Sequence, residues 1–272
     1  MILSADSRQF YRELSIGTAK PTIEEQQGIQ HYFIDSHSIT EDVTASTYAK
    51  EALNILDTEF KNHETIIMVG GSGMFIDAVC NGLDDIPASI ELRNELTDFV
   101  KQNGIDPLLA ELNEKDPEFY AIVDKKNPVR IIRAIEAIRL SNMTFSEMRK
   151  NQKTTRPFEI MRLIIAHERE KLYERINLRV DIMIENGLIS EVKSLLPHKN
   201  LSSLKTVGYS ELFRFIEGEI DLQEAIELIK QNSRRYAKRQ LTWFRKHDDA
   251  TWIPFSTVDQ MTNEIIKKIT TI

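Results

Sequence analysis

The sequence predicts an α/β protein: a parallel sheet covered by helices and interrupted by an all-helical insertion. Three observations carry this. Short apolar runs alternate with amphipathic runs of helical length over residues 1–88, the pattern of strands joined by crossover helices. From residue 89 to 156 the strand pattern stops and only helical periods remain. The strand pattern then returns in "IMRLIIAH" and "TWIPF". The expected division is an α/β core over 1–88 and 157–272, with a helical insertion over 89–156.

"ILSA", directly after Met1, is short, apolar and followed by Asp6, Ser7, Arg8 and Gln9, as a buried strand entering a site loop would be. "HYFID" reads as a second strand. "TASTYAKEALNILDTEF" is an amphipathic helix with Ala49, Ala52, Leu53, Leu56 and Phe60 on one face. "TIIMVGGSGMFIDAVCNG" is a buried strand, a tight glycine turn and a helix. In the insertion, "IELRNELTDFVKQ", "IDPLLAELNEKDPEFYAIV" and "PVRIIRAIEAIRLSN" are helical in period, punctuated by Gly104, Pro107, Pro117 and Pro128. After "IMRLIIAH" come a helix through "REKLYERINLRVDIMIENG", another after "GLISEV", and a long one from about Leu222 to Lys246. "TWIPF" makes the last strand and "VDQMTNEIIKKITTI" a closing helix.

Composition excludes several classes. Hydrophobic residues at 41% and charged residues at 28% are ordinary for a water-soluble fold, and no apolar run approaches bilayer length. "MIL" is too short for a signal peptide. Cys80 is the only cysteine, which removes any internal disulfide or cysteine-rich metal site and fits a cytoplasmic location. A net charge of −7 argues against indiscriminate coating of nucleic acid, yet the cations are bunched. "KKNPVRIIRAIEAIR" is one cluster, and "RRYAKRQLTWFRK" is a stronger one.

Three features could carry chemistry. Gly70-Gly71-Ser72-Gly73 closes a buried strand and opens a helix, a position where backbone N–H groups meet anions. A tight turn without a ligand explains it as well, and no Lys follows at the Walker A offset. Asp6 stands at another strand end, as a general base, a metal ligand or simply the cap of the next turn. Arg234, Lys238 and Arg245, with Gln231 and Thr242, lie on neighbouring turns of one helix together with Tyr236, Trp243 and Phe244. That suits phosphate and base contacts, or else a solvated face.

The ordered motifs resemble the tRNA dimethylallyltransferase (tRNA isopentenyltransferase) family. They are "LSADSRQFYRELSIGTAKPT", "HYFID", "VGGSGMF", "KNPVRIIRAIE", "ERINLRVDIMIENGLISEV", "KTVGYSEL", "RRYAKRQLTWFR" and Trp252, in order over nearly the whole chain. The resemblance implies a P-loop NTPase-like parallel-sheet core with a helical domain that grips the tRNA anticodon arm. It also implies Mg²⁺-dependent transfer of a dimethylallyl group from its diphosphate to N6 of the adenosine 3′ of the anticodon. Asp6 matches the family's general base, and Ser72 stands where the family has Thr. Contacts to tRNA carry over onto Asp6, Ser7, Arg8, Gln9 and Ser72, and onto Arg93, Val129, Arg130, Ile131, Ile132 and Arg133. Arg234, Lys238 and Arg239 are candidates for the diphosphate or tRNA phosphates. A cytoplasmic monomer is expected.

Phe75 replaces a family Tyr, and the family's first strand, its Lys-bearing phosphate loop and its first helix do not precede "ILSADS". The expectation is that an active enzyme needs that front. Competing readings are a P-loop kinase of small molecules, a prenyltransferase of free adenine nucleotides, and an RNA-binding fragment without turnover.

Overall fold

A computed structural model describes residues 1–149 and 154–270. Residues 150–153, within the expected insertion, and 271–272, at the end of the expected closing helix, lie outside the described residues. The chain runs β1 (Ile2–Ser4), α1 (Ile23–Gln26), β2 (His31–Tyr32), α2 (Ala45–Glu59), β3 (Ile67–Val69) and α3 (Gly73–Asn81). Five helices follow: α4 (Ile90–Asn103), α5 (Asp106–Lys115), α6 (Pro117–Ile122), α7 (Pro128–Ser141) and α8 (Phe145–Met148). Then come β4 (Leu163–Ala166), α9 (Arg169–Glu185), α10 (Leu188–Ser194), α11 (Tyr209–Ile216), α12 (Leu222–Phe244), β5 (Thr251–Pro254) and α13 (Val258–Ile269). Two compact units result: 1–80 with 156–272, and 81–155.

In the α/β unit every strand pair is parallel. β1 lies between β2 and β3, with Ile2 opposite His31 and Ile67, while β4 pairs with β5 separately. The outer edges of β3 and β4 have no strand partner among the described residues. Both border an apolar cavity of about 440 Å³ lined by Met68, Val69, Leu163 and Ile165. Val69 remains 55% exposed there, and Ile67 on the same strand is 53% exposed. The expected sheet therefore appears as two parallel pieces, because these two edges do not hydrogen-bond to each other.

Local chemistry accounts for the helices around β1. Thr44 and Thr47 form a reciprocal capping box that starts α2, whose Tyr48, Ala49, Ala52 and Leu56 then face the sheet. Tyr48 donates to the Ser4 carbonyl at 2.9 Å, and burial raises its phenol pKa well above the ordinary value. A second core joins Tyr11, Leu14, Val180, Leu188, Tyr209 and Leu212 beneath the loop that follows β1.

The helical unit has its own core. Asn127 caps α7 and Pro128 pre-sets its first turn, after which Ile131, Ile132, Ile135 and Ile138 bury against Leu96, Leu108 and Leu112. Each such aliphatic side chain contributes about 1.5–3 kcal/mol relative to exposure. The amino-terminal boundary falls at Asn81, where the sequence placed it at Ser89. Arg133 ties the intervening segment to α7: its guanidinium donates to the Ile86 and Pro87 carbonyls at 2.8 and 2.6 Å.

Candidate active site

The ends of β1 and β3 meet through their backbones. Ala5 donates to Val69 at 2.7 Å, and Ser72 donates back to Ala5 at 3.2 Å. Gly70 makes this possible: a Cβ there would lie 2.3 Å from the Ala5 carbonyl carbon, a contact no side chain survives. The glycine turn thus brings Ser72 onto the loop after β1. The Ser72 hydroxyl accepts from the Ser7 amide at 2.9 Å and donates to the Ser7 hydroxyl at 3.0 Å.

Asp6 does two things at once. Its Oδ1 accepts from the Arg8 amide at 2.9 Å and more weakly from the Gln9 amide at 3.4 Å, closing the turn. Its other oxygen has no hydrogen-bond partner among the described residues. A carboxylate fixed by one oxygen and open at the other is suited to take a proton. Asp6, Ser7, Arg8, Thr18, Arg179 and Arg239 line one cavity of about 660 Å³.

The remaining predicted residues are distributed as follows. Arg8 reaches the Ser203 carbonyl at 2.9 Å, and the Gln9 amide donates to the Thr18 and Ala19 carbonyls at 3.2 and 3.3 Å. Gln9 therefore shapes the loop, with its amide committed to backbone. Arg239 lines the cavity over the Tyr236 ring, whereas Arg234 donates to Asn177 at 2.5 Å. Lys238 points to a different cavity on the other side of α12.

Within the helical unit, the predicted contacts separate by burial. Val129 is 73% exposed and Arg130 is exposed. Ile131 and Ile132 are core residues, so their side chains have no surface to offer a nucleic acid. Arg93 and Arg133 both bind Glu136, which is 0% exposed, at distances of 3.0–3.2 Å. Glu136 also accepts from the Ser89 amide at 2.7 Å.

Sequence reasoning missed Arg179 and Glu191. Arg179 donates to the Thr18 carbonyl at 3.2 Å and sits on the cavity wall near Asp6. Burial lowers its guanidinium pKa from the ordinary value, and the Asp6 charge opposes that shift, so it stays cationic. The missed signal is a cation inside the apolar helical stripe Leu172, Ile176, Val180, Met183, all on the cavity wall.

Glu191 accepts from the Ser15, Ile16 and Gly17 amides at 2.8–3.1 Å and from the Tyr209 hydroxyl at 2.5 Å. Burial and then the Glu191 charge push the Tyr209 phenol far above its ordinary pKa. Tyr209 lies so close that a Cβ on Gly17 would come within 2.6 Å of its ring. One carboxylate thus clamps the loop that carries Thr18.

The residues present do not make a metal cage. Among those described, no three His, Cys, Asp or Glu side chains cluster, and Asp6 offers a single free oxygen beside two serine hydroxyls. No described helix is long and apolar enough to cross a membrane.

The sequence model of a family described as IPP transferase matches residues 9–247. A tRNA dimethylallyltransferase of Cytophaga hutchinsonii is 45% identical over 269 residues, covering 98% of this chain and 88% of that protein. Another, tRNA dimethylallyltransferase 1 of Bacteroides thetaiotaomicron, is 45% identical over 92% of this chain and 82% of its own. A crystal structure of the tRNA isopentenylpyrophosphate transferase from Bacillus halodurans superposes with TM-score 0.72 at 36% identity, over 99% of this chain and 87% of that one. A eukaryotic dimethylallyltransferase acting on tRNA shares the fold, with TM-score 0.82 at 22% identity, over 98% of this chain and 70% of its own.

Proposed function

Because the chain belongs to the IPP transferase family, we propose that it transfers a dimethylallyl group from dimethylallyl diphosphate to N6 of the adenosine 3′ of the anticodon in tRNA. The observation that carries this reading is the Asp6 carboxylate, fixed in a turn through one oxygen and free at the other. It faces a cavity shared with Arg179 and Arg239.

The adenine N6 lone pair is delocalised into the ring and is a weak nucleophile. The free Asp6 oxygen accepts a hydrogen bond from N6 and takes its proton as N6 attacks the allylic C1. The C1–O bond breaks, and its electron pair leaves on the diphosphate. Arg179 and Arg239 stabilise that growing negative charge from the cavity wall. A base stacked in the anticodon loop must turn outward to reach Asp6, and Ser7 lies beside the entry. Mg²⁺ belongs to this reading as the counter-ion of the diphosphate, since the described residues supply too few ligands for a cage.

In the helical unit we assign tRNA contact to Val129 and Arg130, with Arg93 and Arg133 holding the helix that presents them. A cytoplasmic monomer fits a chain with one cysteine, and that one buried.

Single-turnover transfer of radiolabel from dimethylallyl diphosphate to tRNA tests the assignment. Asp6→Asn should retain tRNA affinity and slow transfer by roughly a hundredfold or more, the usual range for a lost base. Undiminished transfer would remove Asp6 from the mechanism. Label reaching free adenine nucleotides but not tRNA would change the acceptor.

A further inference from the structure

The long helix α12 separates two cavities. Tyr236, Ala237 and Gln240 face the cavity of Asp6. Lys238, Leu241, Thr242 and Arg245, spaced as one helical face, look onto a second concavity of about 560 Å³. Its far wall is Arg169 and Tyr173 of α9, and its floor is the end of β4 with Trp252 of β5. None of its nine lining residues is acidic, although the chain as a whole carries −7.

Charge, position and ring faces converge here. Lys238 and Arg245 are exposed and have no side-chain partner among the described residues. Arg169 lies 5.3 Å from the centre of the Tyr173 ring, its Nε donating to the hydroxyl at 3.3 Å. That contact orients the guanidinium without neutralising it. α9 begins at this wall with no side-chain cap, so its first amides and its positive dipole end add to the same field. The cavity lies at the carboxyl end of β4, where Ala166 and His167 line it, the edge where open α/β sheets bind ligands. Three cations around one hollow repel one another unless an anion joins them. Tyr173 and Trp252 add flat apolar faces that a bare phosphate cannot use.

We propose that this cavity binds a nucleotide unit, with its phosphates on Lys238, Arg245 and Arg169 and its base against Tyr173 or Trp252. The same chemistry can arrive as a free nucleotide or as part of an RNA chain. The assignment rests on this cavity alone and is independent of the prenyl-transfer reading.

Equilibrium titration with ATP, with inorganic tripolyphosphate as the ring-free probe, tests it without any turnover. ATP should bind more tightly than tripolyphosphate by about fivefold or more, the scale of one stacked base. The double variant Lys238→Gln/Arg245→Gln should weaken ATP binding by about tenfold or more, as expected for lost charge-assisted contacts. Both positions are exposed, so the fold should persist, which a thermal melt verifies. Asp6→Asn should leave ATP binding unchanged. Displacement of ATP by an anticodon stem-loop RNA, lost in the same double variant, identifies the RNA chain as the source. ATP binding that such RNA does not disturb identifies a free nucleotide. Equal affinity for ATP and tripolyphosphate overturns the proposal, as does ATP binding that is absent or indifferent to the double variant.

Discussion

The loop Asp6–Gln9 and the helix face around Arg133 look alike in sequence, each a short run of polar and charged residues beside an apolar stretch. In the folded chain they differ in what is left over. At Asp6 the turn consumes one carboxylate oxygen and leaves the other facing a cavity. Around Arg133 the charges are consumed: Glu136, fully buried, holds Arg133, Arg93 and the Ser89 amide. The first arrangement leaves a carboxylate oxygen available, and the second is a fastening. Availability of a charge, rather than its presence, separates a site from a brace.

Breaking the brace should give the largest effect on stability. Glu136→Ala removes the partner of two guanidinium groups and strands the Ser89 amide, at a cost of about 3 kcal/mol, the lower end for a broken buried pair because Arg93 is partly exposed. A urea midpoint close to that of the parent chain would show that water replaces Glu136 easily. Glu191→Gln should come next. An amide can still accept from backbone N–H groups, but a carboxylate holding four donors is stronger, so the Thr18 loop loosens. The expected loss is about tenfold in kcat/KM, with kcat falling more than KM rises, at a cost of about 1–2 kcal/mol in stability. A fall in stability with unaltered kcat would make Glu191 a brace like Glu136.

Arg130→Gln tests the other side of the comparison, an exposed cation without a side-chain partner among the described residues. It should reduce the salt slope of tRNA binding by about one unit, or somewhat less on single-stranded RNA, and leave the melting curve in place. An unchanged slope would take Arg130 out of the interface. The smallest effect belongs to the half-exposed pair of Glu111 with Arg139. The hydrogen bond from Arg139 holds the Glu111 carboxyl below its ordinary 4.5. A lowered folded pKa means that the stabilisation is complete above 4.5 and disappears as pH falls through the lowered value. Glu111→Gln should therefore cost under about 1 kcal/mol at neutral pH and nothing once the carboxyl is protonated. A penalty persisting in acid would point to packing instead of charge.

Much of the fold was legible because its signals are local. The stripe from Ala49 to Leu56 and the glycine turn at Gly70 are read from neighbouring residues, and each is where its spacing put it. Asp6 and Ser72 were legible as strand-end residues for the same reason. Arg179 was not, because a single cation in an apolar stripe acquires meaning only when the loop carrying Thr18 packs beside it. The Glu136 partner of Arg93 and the burial of Ile131 were not legible, because helical period shows which face a residue lies on and says nothing of what lies opposite.

By itself the sequence determined the alternation of strand and helix, the helical insertion, the ordered motifs of the family and the presence of a carboxylate at the end of β1. Those follow from backbone preference and from the side-chain periods 2.0 and 3.6, which act over a few residues. Only the tertiary structure decided which charges are spent and which remain. Ser72 reaches Ser7 across 65 positions, Glu191 reaches Ser15 across 176, and Glu136 reaches Arg93 across 43. Hydrogen bonds and ion pairs act over about 3 Å, so their partners exist only once the chain has folded.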